Sequence, residues 1–269
     1  MCDLIIEDAK NIYLWYMEKN QTTQLPKIWL DFEVRAYEVD IYNRVSPVTI
    51  ANYLQEAAGQ HADHLGVGVT DLLKHRLTWV LTRIKIDMQQ YPSRYEPVRV
   101  LTYPIGYDKY FVYRNFQLYN AQGKQIGQAT STWAVMDIQA RKMVGVPQLI
   151  TSLPIPDDED FITRTKGKIA KVNAPLSETL FRVRWNDLDT NQHTNNAYYL
   201  QWAIESLPEE VLKSRQLASI DLLYRLETTW KEGVVARTEQ TSTQPLSFIH
   251  QLIRESDQKE LAQATTVWV

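Results

Sequence analysis

The sequence predicts an α+β protein made of two fused copies of one unit. Two observations carry this. Short segments recur in the same order in both halves, and each half reads as one strand, one helix and then a series of strands. Near the start stands Phe32-Glu-Val-Arg35, with Asp40 five residues past the arginine; later stands Phe181-Arg-Val-Arg184, with Asp189 at the same spacing. The ends match too, Gln128-Ala-Thr-Ser-Thr-Trp133 against Gln263-Ala-Thr-Thr-Val-Trp268. The offset is 149 at the first match and 135 at the second, so the second copy is about 14 residues shorter inside. Two matches in one order point to a duplication.

In the first copy, alternating side chains make Phe32–Arg35 a strand. Ile50, Leu54, Ala57, Ala58, His61 and Leu65 fall near helical spacing, which predicts a helix over Val48–Leu65, ended by Gly66 and Gly68. Strands follow at Thr78–Asp87, Val98–Ile105, Tyr110–Tyr119 and Gln125–Asp137, with Asn120 to Gly123 as a turn. The second copy repeats this. Phe181–Arg184 opens it, and a helix runs from Asn195 or Asn196 to Ser206, with Asn195 as cap and Pro208 as stop. Strands then cover Ser219–Leu226, Val234–Thr243, Ser247–Glu255 and Leu261–Val269. A helix with one antiparallel sheet to cover it is expected inside a curve of that sheet. Residues 1–29 form an N-terminal extension, with a short helix at Asn11–Lys19. The first domain spans 30–146, a linker 147–180 and the second domain 181–269. The linker carries Pro147, Pro154 and Pro156, the acidic run Asp157–Asp160, then Arg164, Lys166, Lys168 and Lys171, a mixture read as a solvated connection.

Composition narrows the class. Of 269 residues, 44% are hydrophobic, enough for a sizeable core, and 9 Gly with 11 Pro leave little room for low-complexity tracts. A net charge of −3 gives no basic excess for nucleic acid. The single cysteine, Cys2, cannot form an internal disulfide and points to a reducing compartment. Acidic Asp3, Glu7 and Asp8 suit neither a signal nor a transit peptide, and no apolar run approaches the roughly 18 residues of a membrane span. A cytoplasmic protein of bacterial type, without membrane insertion and without a cofactor, is expected. GxSxG, P-loop and dinucleotide motifs are absent from the sequence. His61 and His64 lack a third ligand and read as a partly solvated helix face, not a metal site.

The densest polar cluster runs from Trp185 to Asn196, between the opening strand and the helix of the second copy. Asp189, Asn191 and His193 occupy alternate positions, so an extended segment puts a carboxylate, an amide and an imidazole on one face. The first copy keeps Asp40 but has Tyr42 and Arg44 where Asn191 and His193 stand. One copy is equipped for chemistry and the other is not.

The cluster Trp185-Asn-Asp-Leu-Asp189-Thr-Asn191-Gln-His193-Thr-Asn-Asn196 resembles the signature of plant and bacterial acyl-ACP thioesterases. Glu205-Ser206 and Leu222-Leu-Tyr224-Arg225-Leu-Glu227 extend the likeness, as do Thr49–Glu56 and Leu77–Val80 in the first half. The resemblance implies two tandem hotdog domains and hydrolysis of fatty acyl thioesters on an acyl carrier protein. It implies Asp189, Asn191, His193 and Glu227 as catalytic residues. Many plant members carry a cysteine after this glutamate; here it is Thr228, so the reading is water activated by Glu227 with help from His193. Asn191 would orient water or substrate, and Asp189 would hold the loop and set the charge of the imidazole. A carboxylate nucleophile stays open, as do acyl-CoA as substrate and a non-catalytic acyl-binding role. The resemblance assigns the acyl pocket to the first domain, where Leu54, Ala58 and Trp79 are candidates. Tyr198 and Trp202 are further candidates from the second helix. The partner is an acyl carrier protein, and a homodimer is compatible with the sequence.

Overall fold

The computed structural model describes residues 25–157 and 161–269. The expected helix at Asn11–Lys19, Cys2 and most of the acidic run lie outside the described residues. The first half contains β1 (Ile28–Glu33), α1 (Pro47–His64), α2 (Val69–Leu73), β2 (Leu77–Met88), β3 (Pro97–Tyr107), β4 (Phe111–Tyr119), β5 (Gln125–Asp137), β6 (Lys142–Val144) and α3 (Gln148–Thr151). The second contains β7 (Ser177–Arg182), α4 (Asn196–Glu205), α5 (Glu209–Ser214), β8 (Leu217–Tyr224), β9 (Gly233–Thr243), β10 (Leu246–Arg254) and β11 (Glu260–Trp268). The expected strands and both long helices are present, and their ends move by at most a few residues. The short α2, α3, α5 and β6 were not foreseen, since three to six residues carry too little periodicity to read.

The duplication is visible element by element. The offset between copies is 149 from β1 to β7 and from α1 to α4, 140 from β2 to β8, and 135 from β5 to β11. Most of the shortening therefore lies in the helix: α1 has 18 residues and α4 has 10. Both helices start on caps. Ser46 Oγ accepts from the Thr49 amide at 3.1 Å with Pro47 in the first turn, and Asn195 Oδ1 accepts from the Ala197 amide at 2.9 Å. Gly66, at φ 71°, ends α1 in the left-handed conformation that glycine adopts at no steric cost.

All strands join one antiparallel sheet, in the order β1-β3-β4-β5-β2-β8-β11-β10-β9-β7, with β6 beside β5. Each half contributes five consecutive strands of that path, and each sheet half curves over its own helix in the hotdog manner. α1 and α4 pack against each other, and Asn196 Nδ2 donates to Gln55 Oε1 at 3.2 Å. Leu54, Ala57, Ile84 and Phe116 from one half share a core with Leu200, Leu222, Phe248 and Leu252 from the other.

The halves meet along β2 and β8, which pair only from Arg83↔Leu223 to Asp87↔Ser219. On the inner face Ile84 opposes Leu222 and Ile86 opposes Ile220, all four buried. On the outer face Arg83 makes a bidentate pair with Asp221, Nε to Oδ1 at 2.8 Å and an Nη to Oδ2 at 2.6 Å. The connecting segment, expected as a solvated linker, is laid across this outer face. Phe161 packs near Tyr103, Arg164 lies 3.7 Å from the Tyr113 ring centre, Gly167 O accepts from Arg83 at 2.8 Å, and Ile169 is buried. Outward-facing aromatic rings of β3 and β4 supply the apolar surface that draws it down. Lys166, Lys168 and Lys171 stay exposed.

The second half fills its interior with a buried polar chain. Ser206 Oγ lies 2.6 Å from Thr238 Oγ1, which lies 2.8 Å from His250 Nδ1; His250 Nε2 lies 2.9 Å from Thr266 Oγ1. Burial pushes His250 down to about 3, so the ring is neutral in the folded protein. His61 is buried as well, contrary to the solvated helix face expected for it.

Two predictions follow from these contacts. Because the unfolded chain binds a proton at His250 near pH 6.5 and the folded chain does not until about pH 3, this contribution is complete above 6.5 and shrinks as pH falls. Urea unfolding is expected to show stability declining between pH 6.5 and 4, by up to about 1.4 kcal/mol per pH unit for this residue; a rise would contradict it. At the seam, Asp221→Leu strands Arg83 and is expected to cost about 3 kcal/mol in the same assay, whereas Arg83→Met with Asp221→Leu recovers most of the loss. Equal stability of the single and double variants would show that the pair does not hold the seam.

Candidate active site

The loop from Leu188 to Thr194 is closed by backbone pairing of those two residues. Inside it the Asp189 amide donates to His193 O at 2.8 Å, and Asp189 Oδ1 accepts from the amides of Asn191 at 2.8 Å and His193 at 3.3 Å. Gln192 takes φ 65° to complete the turn. The first half builds the same loop around Asp40, whose Oδ1 accepts from the amides of Tyr42 at 2.8 Å and Arg44 at 3.0 Å, with Asn43 at φ 60°. The aspartate is thus the builder of the turn in both copies, and the alternate positions carry the difference.

This changes the part expected of Asp189. Its lone pairs close the turn, and the carboxylate facing the imidazole is Glu227, with Oε2 3.3 Å from His193 Nδ1. A hydrogen on Nδ1 directed at Glu227 leaves Nε2 free to act as a base or acceptor. Glu227 follows the end of β8. Arg225 and Leu226 amides both donate to Leu261 O, at 2.8 and 3.1 Å. An Arg254 Nη donates to Glu227 O at 2.7 Å, while another Arg254 Nη pairs with Asp257 at 3.2 Å.

Thr228 sits on the opposite side of the chain from Glu227. It is fully buried; Oγ1 donates to Thr194 Oγ1 at 2.8 Å and lies 3.1 Å from Tyr199 Oη, and Thr228 O accepts from the Thr194 amide at 2.9 Å. This contact ties the Glu227 segment to the His193 loop.

Asp189, Asn191, His193 and Glu227 line the mouth of a cavity of about 720 Å³. A register shift between Leu81 and Arg83 turns β2 away from β8, so Thr78–Thr82 and Tyr224–Glu227 form facing walls of a cleft. Beyond the mouth the walls belong to the first half: Ala58, Gly59 and Ala62 of α1, Trp79 and Leu81 of β2, Val112 and Arg114 of β4, Trp133 and Met136 of β5. Small residues on α1 leave the space and rings bound it. Trp79 satisfies its Nε1–H on Val67 O at 2.8 Å. Of the pocket candidates, Ala58 and Trp79 line the cavity. Leu54 is in the shared core, Tyr198 donates to Asn186 O at 3.3 Å, and Trp202 packs on Phe181, all three off the cavity wall. Those two rings of α4 face their own half, while Tyr199 between them faces the site. Gln55, Thr194, Arg114, Tyr199 and Arg225 also line the cavity. Gln55, Thr194 and Arg225 stand in segments that carry the family likeness, and Tyr199 is one of the rings of the second helix; Arg114 lies in none of the quoted segments, because its place depends on which strand turns aside.

Fold and site together define a double-hotdog protein with a polar cluster at the mouth of a largely apolar cavity. Family models for the acyl-ACP thioesterase N-terminal and C-terminal domains match residues 27–153 and 171–269, and the chain belongs to this family. It is 29% identical over 259 residues to an acyl-[acyl-carrier-protein] hydrolase, FATB2, of Cuphea viscosissima, covering 88% of this chain and 61% of that one. It is also 29% identical over 272 residues to oleoyl-acyl carrier protein thioesterase 1 of Arabidopsis thaliana, covering 88% and 74%. Both relatives are chloroplastic proteins. The chain thus spans about three fifths of the length of the Cuphea relative. Among solved structures, the 12:0-ACP thioesterase from Umbellularia californica superposes with a TM-score of 0.81 at 25% identity, covering 92% of this chain and 95% of that one. An acyl-ACP thioesterase from Bacteroides thetaiotaomicron shares the fold, with a TM-score of 0.82 at 22% identity over 92% of this chain and all of the other.

Thr228→Ala removes a buried hydroxyl and its two contacts. It is expected to lower stability by about 1–2 kcal/mol while reducing kcat less than tenfold. Thr228→Cys is expected to show no burst of covalent acyl-enzyme, because that side chain points away from the cavity. A trapped thioester on the new cysteine would overturn this.

Proposed function

We propose that the protein hydrolyses the thioester of fatty acyl-acyl carrier protein, releases the free fatty acid and so ends chain elongation. The observation that carries this is the convergence of Asn191, His193 and Glu227 at the mouth of an apolar cavity wide enough for an acyl chain. The acyl chain enters the cavity and the thioester carbonyl stops at the mouth. Glu227 takes a proton from the attacking water, and the imidazole beside it helps to hold and move that proton. Water oxygen adds to the carbonyl carbon, the carbon–sulfur bond breaks, and the proton reaches the leaving thiolate. Asn191 Nδ2 serves the carbonyl or the water; its side chain makes no hydrogen bond among the described residues, which suits a group kept for substrate. Asp189 positions both through the turn.

The two halves divide the labour. We take 30–146 as the hotdog domain that shapes the acyl pocket, 181–269 as the one that supplies the chemistry, and 147–180 as the connection. The reaction fits a reducing compartment such as the cytoplasm, given a single cysteine. No helix among the described residues is long and apolar enough to cross a membrane.

His193→Ala and Glu227→Ala are each expected to lower kcat by roughly a hundredfold or more, the scale of losing a positioned acid–base group. The check is release of free fatty acid from acyl-carrier-protein and acyl-CoA substrates of equal chain length. Near-normal turnover in a folded variant removes that residue from the mechanism, and faster cleavage of acyl-CoA makes the coenzyme thioester the substrate.

A further inference from the structure

Glu227 stands on a stretch without regular structure, between the end of β8 at Tyr224 and the start of β9 at Gly233. Within a strand, a backbone ladder would orient such a residue; here side chains do so. The peptide between Glu227 and Thr228 is gripped at both of its polar ends. Its carbonyl accepts from an Arg254 Nη at 2.7 Å, and its N–H donates to Tyr199 Oη at 3.0 Å. Carbonyl and N–H point in opposite directions across a trans peptide, so two such bonds stop the plane from turning. The setting of that plane fixes one of the two soft backbone angles at Glu227, and with it the direction of the carboxylate.

Both grips are themselves held. The Arg254 guanidinium sits between Glu232, whose Oε1 is 3.2 Å from Nε, and Asp257, whose Oδ2 is 3.2 Å from the other Nη. Tyr199 is buried in the first turn of α4, with its ring edge-on to Tyr224 and its Oη 3.1 Å from Thr228 Oγ1. Burial pushes the Tyr199 hydroxyl up to about 12, so it keeps its hydrogen for the threonine while a lone pair takes the amide. Because α4 starts where the His193 loop ends, this grip ties Glu227 to the element that carries the imidazole. The duplication offers a comparison. At the offset of 149 between α1 and α4, Ile50 stands in the place of Tyr199; at the offset of 135 between β4 and β10, Tyr119 stands in the place of Arg254. The copy without the amide and the imidazole also lacks both grips.

We infer that Tyr199 and Arg254 are positioning residues that hold the Glu227 carboxylate against His193 by clamping the peptide that follows it. The inference rests on the acyl-thioester hydrolysis proposed above. Neither side chain has to touch the substrate to do this, so the loss of either slows the reaction and leaves binding alone.

The test measures kcat and KM of the full chain on one acyl-carrier-protein thioester. Tyr199→Phe keeps the ring and removes the bond; it is expected to lower kcat about tenfold with KM unchanged. Arg254→Met is expected to do the same, and the double variant to approach the roughly hundredfold loss expected of Glu227→Ala. Thr228→Ala keeps the clamped amide and loses less. The decisive comparison removes the carboxylate: side chains that act only through Glu227 cost nothing further in a Glu227→Ala background. A folded Tyr199→Phe protein with unaltered kcat, a loss that appears in KM instead, or a further loss in the Glu227→Ala background overturns the inference. Should Tyr199→Phe not fold, Arg254→Met in the same two backgrounds decides by the same outcomes. Normal turnover of Glu227→Ala sinks the mechanism and the clamp together, whereas slow Glu227→Ala beside full-speed Tyr199→Phe sinks the clamp alone.

Discussion

The rest of the molecule depends on the short ladder between β2 and β8. Five residues of each strand pair, with isoleucine and leucine below and the Arg83–Asp221 pair above. That ladder makes one sheet of two halves, and where it stops the cavity begins. Had pairing continued through Thr78–Thr82, those residues would have bonded to Tyr224–Glu227 and closed the cleft. The shift at Leu81/Arg83 ends the pairing at the point where both walls are needed. An ion pair on the outer face of a sheet thus bears on a pocket that opens beside it. The connecting segment adds a second restraint, since Gly167 accepts from the same arginine.

From this seam the division between the copies follows. The turn around Asp40 and the turn around Asp189 use the same four hydrogen-bonding positions, so either copy could present two side chains to a cleft. Only the second presents an amide and an imidazole. The spacious interior lies in the other copy, because α1 runs on past the point where α4 ends and its Ala58, Gly59 and Ala62 stand off from the sheet. The second copy instead packs Ser206, Thr238, His250 and Thr266 into a hydrogen-bonded chain. A buried polar chain with its partners present is rigid and leaves no room for a ligand. One copy therefore supplies the reactive loop and the other the space, and neither alone makes the proposed site.

Much of this was legible in the residues. Alternation and helical spacing located both long helices and the main strands, since those elements bury one face and must show it in sequence. The offsets of 149 and 135 already implied a second copy shortened inside. Asp189, Asn191 and His193 were singled out by their alternation, but the segment is a turn, closed by Leu188 and Thr194 with Gln192 at φ 65°, and not the extended run expected. Glu227 was reached through family likeness; its approach to His193 depends on the exit of β8, which spacing does not encode. Asp189 was expected to hold the loop and to set the charge of the imidazole; the turn shows the first, while the carboxylate beside the imidazole is that of Glu227. A carboxylate two and four residues from its partners can face their side chains or their amides, and only the turn geometry decides. Tyr198 and Trp202 were set beside the pocket as aromatic rings of the second helix, but Tyr198 Oη donates to Asn186 O and Trp202 packs on Phe181, in their own half.

Thr228 shows how the same fold can separate position from chemistry. The residue after Glu227 is buried, faces Thr194 and Tyr199, and holds two loops together. A side chain there reaches no substrate in the cavity, whatever its nucleophilicity. In the proposed reaction the reactive set therefore comes from the loop and the glutamate, with water or the carboxylate itself as the attacking group. Between these, the neighbour of Glu227 matters most. In the proposed reaction the imidazole stands beside the carboxylate, with His193 Nδ1 3.3 Å from Glu227 Oε2, where it can share the proton that the carboxylate takes from water. That placement is the reason for proposing the water route.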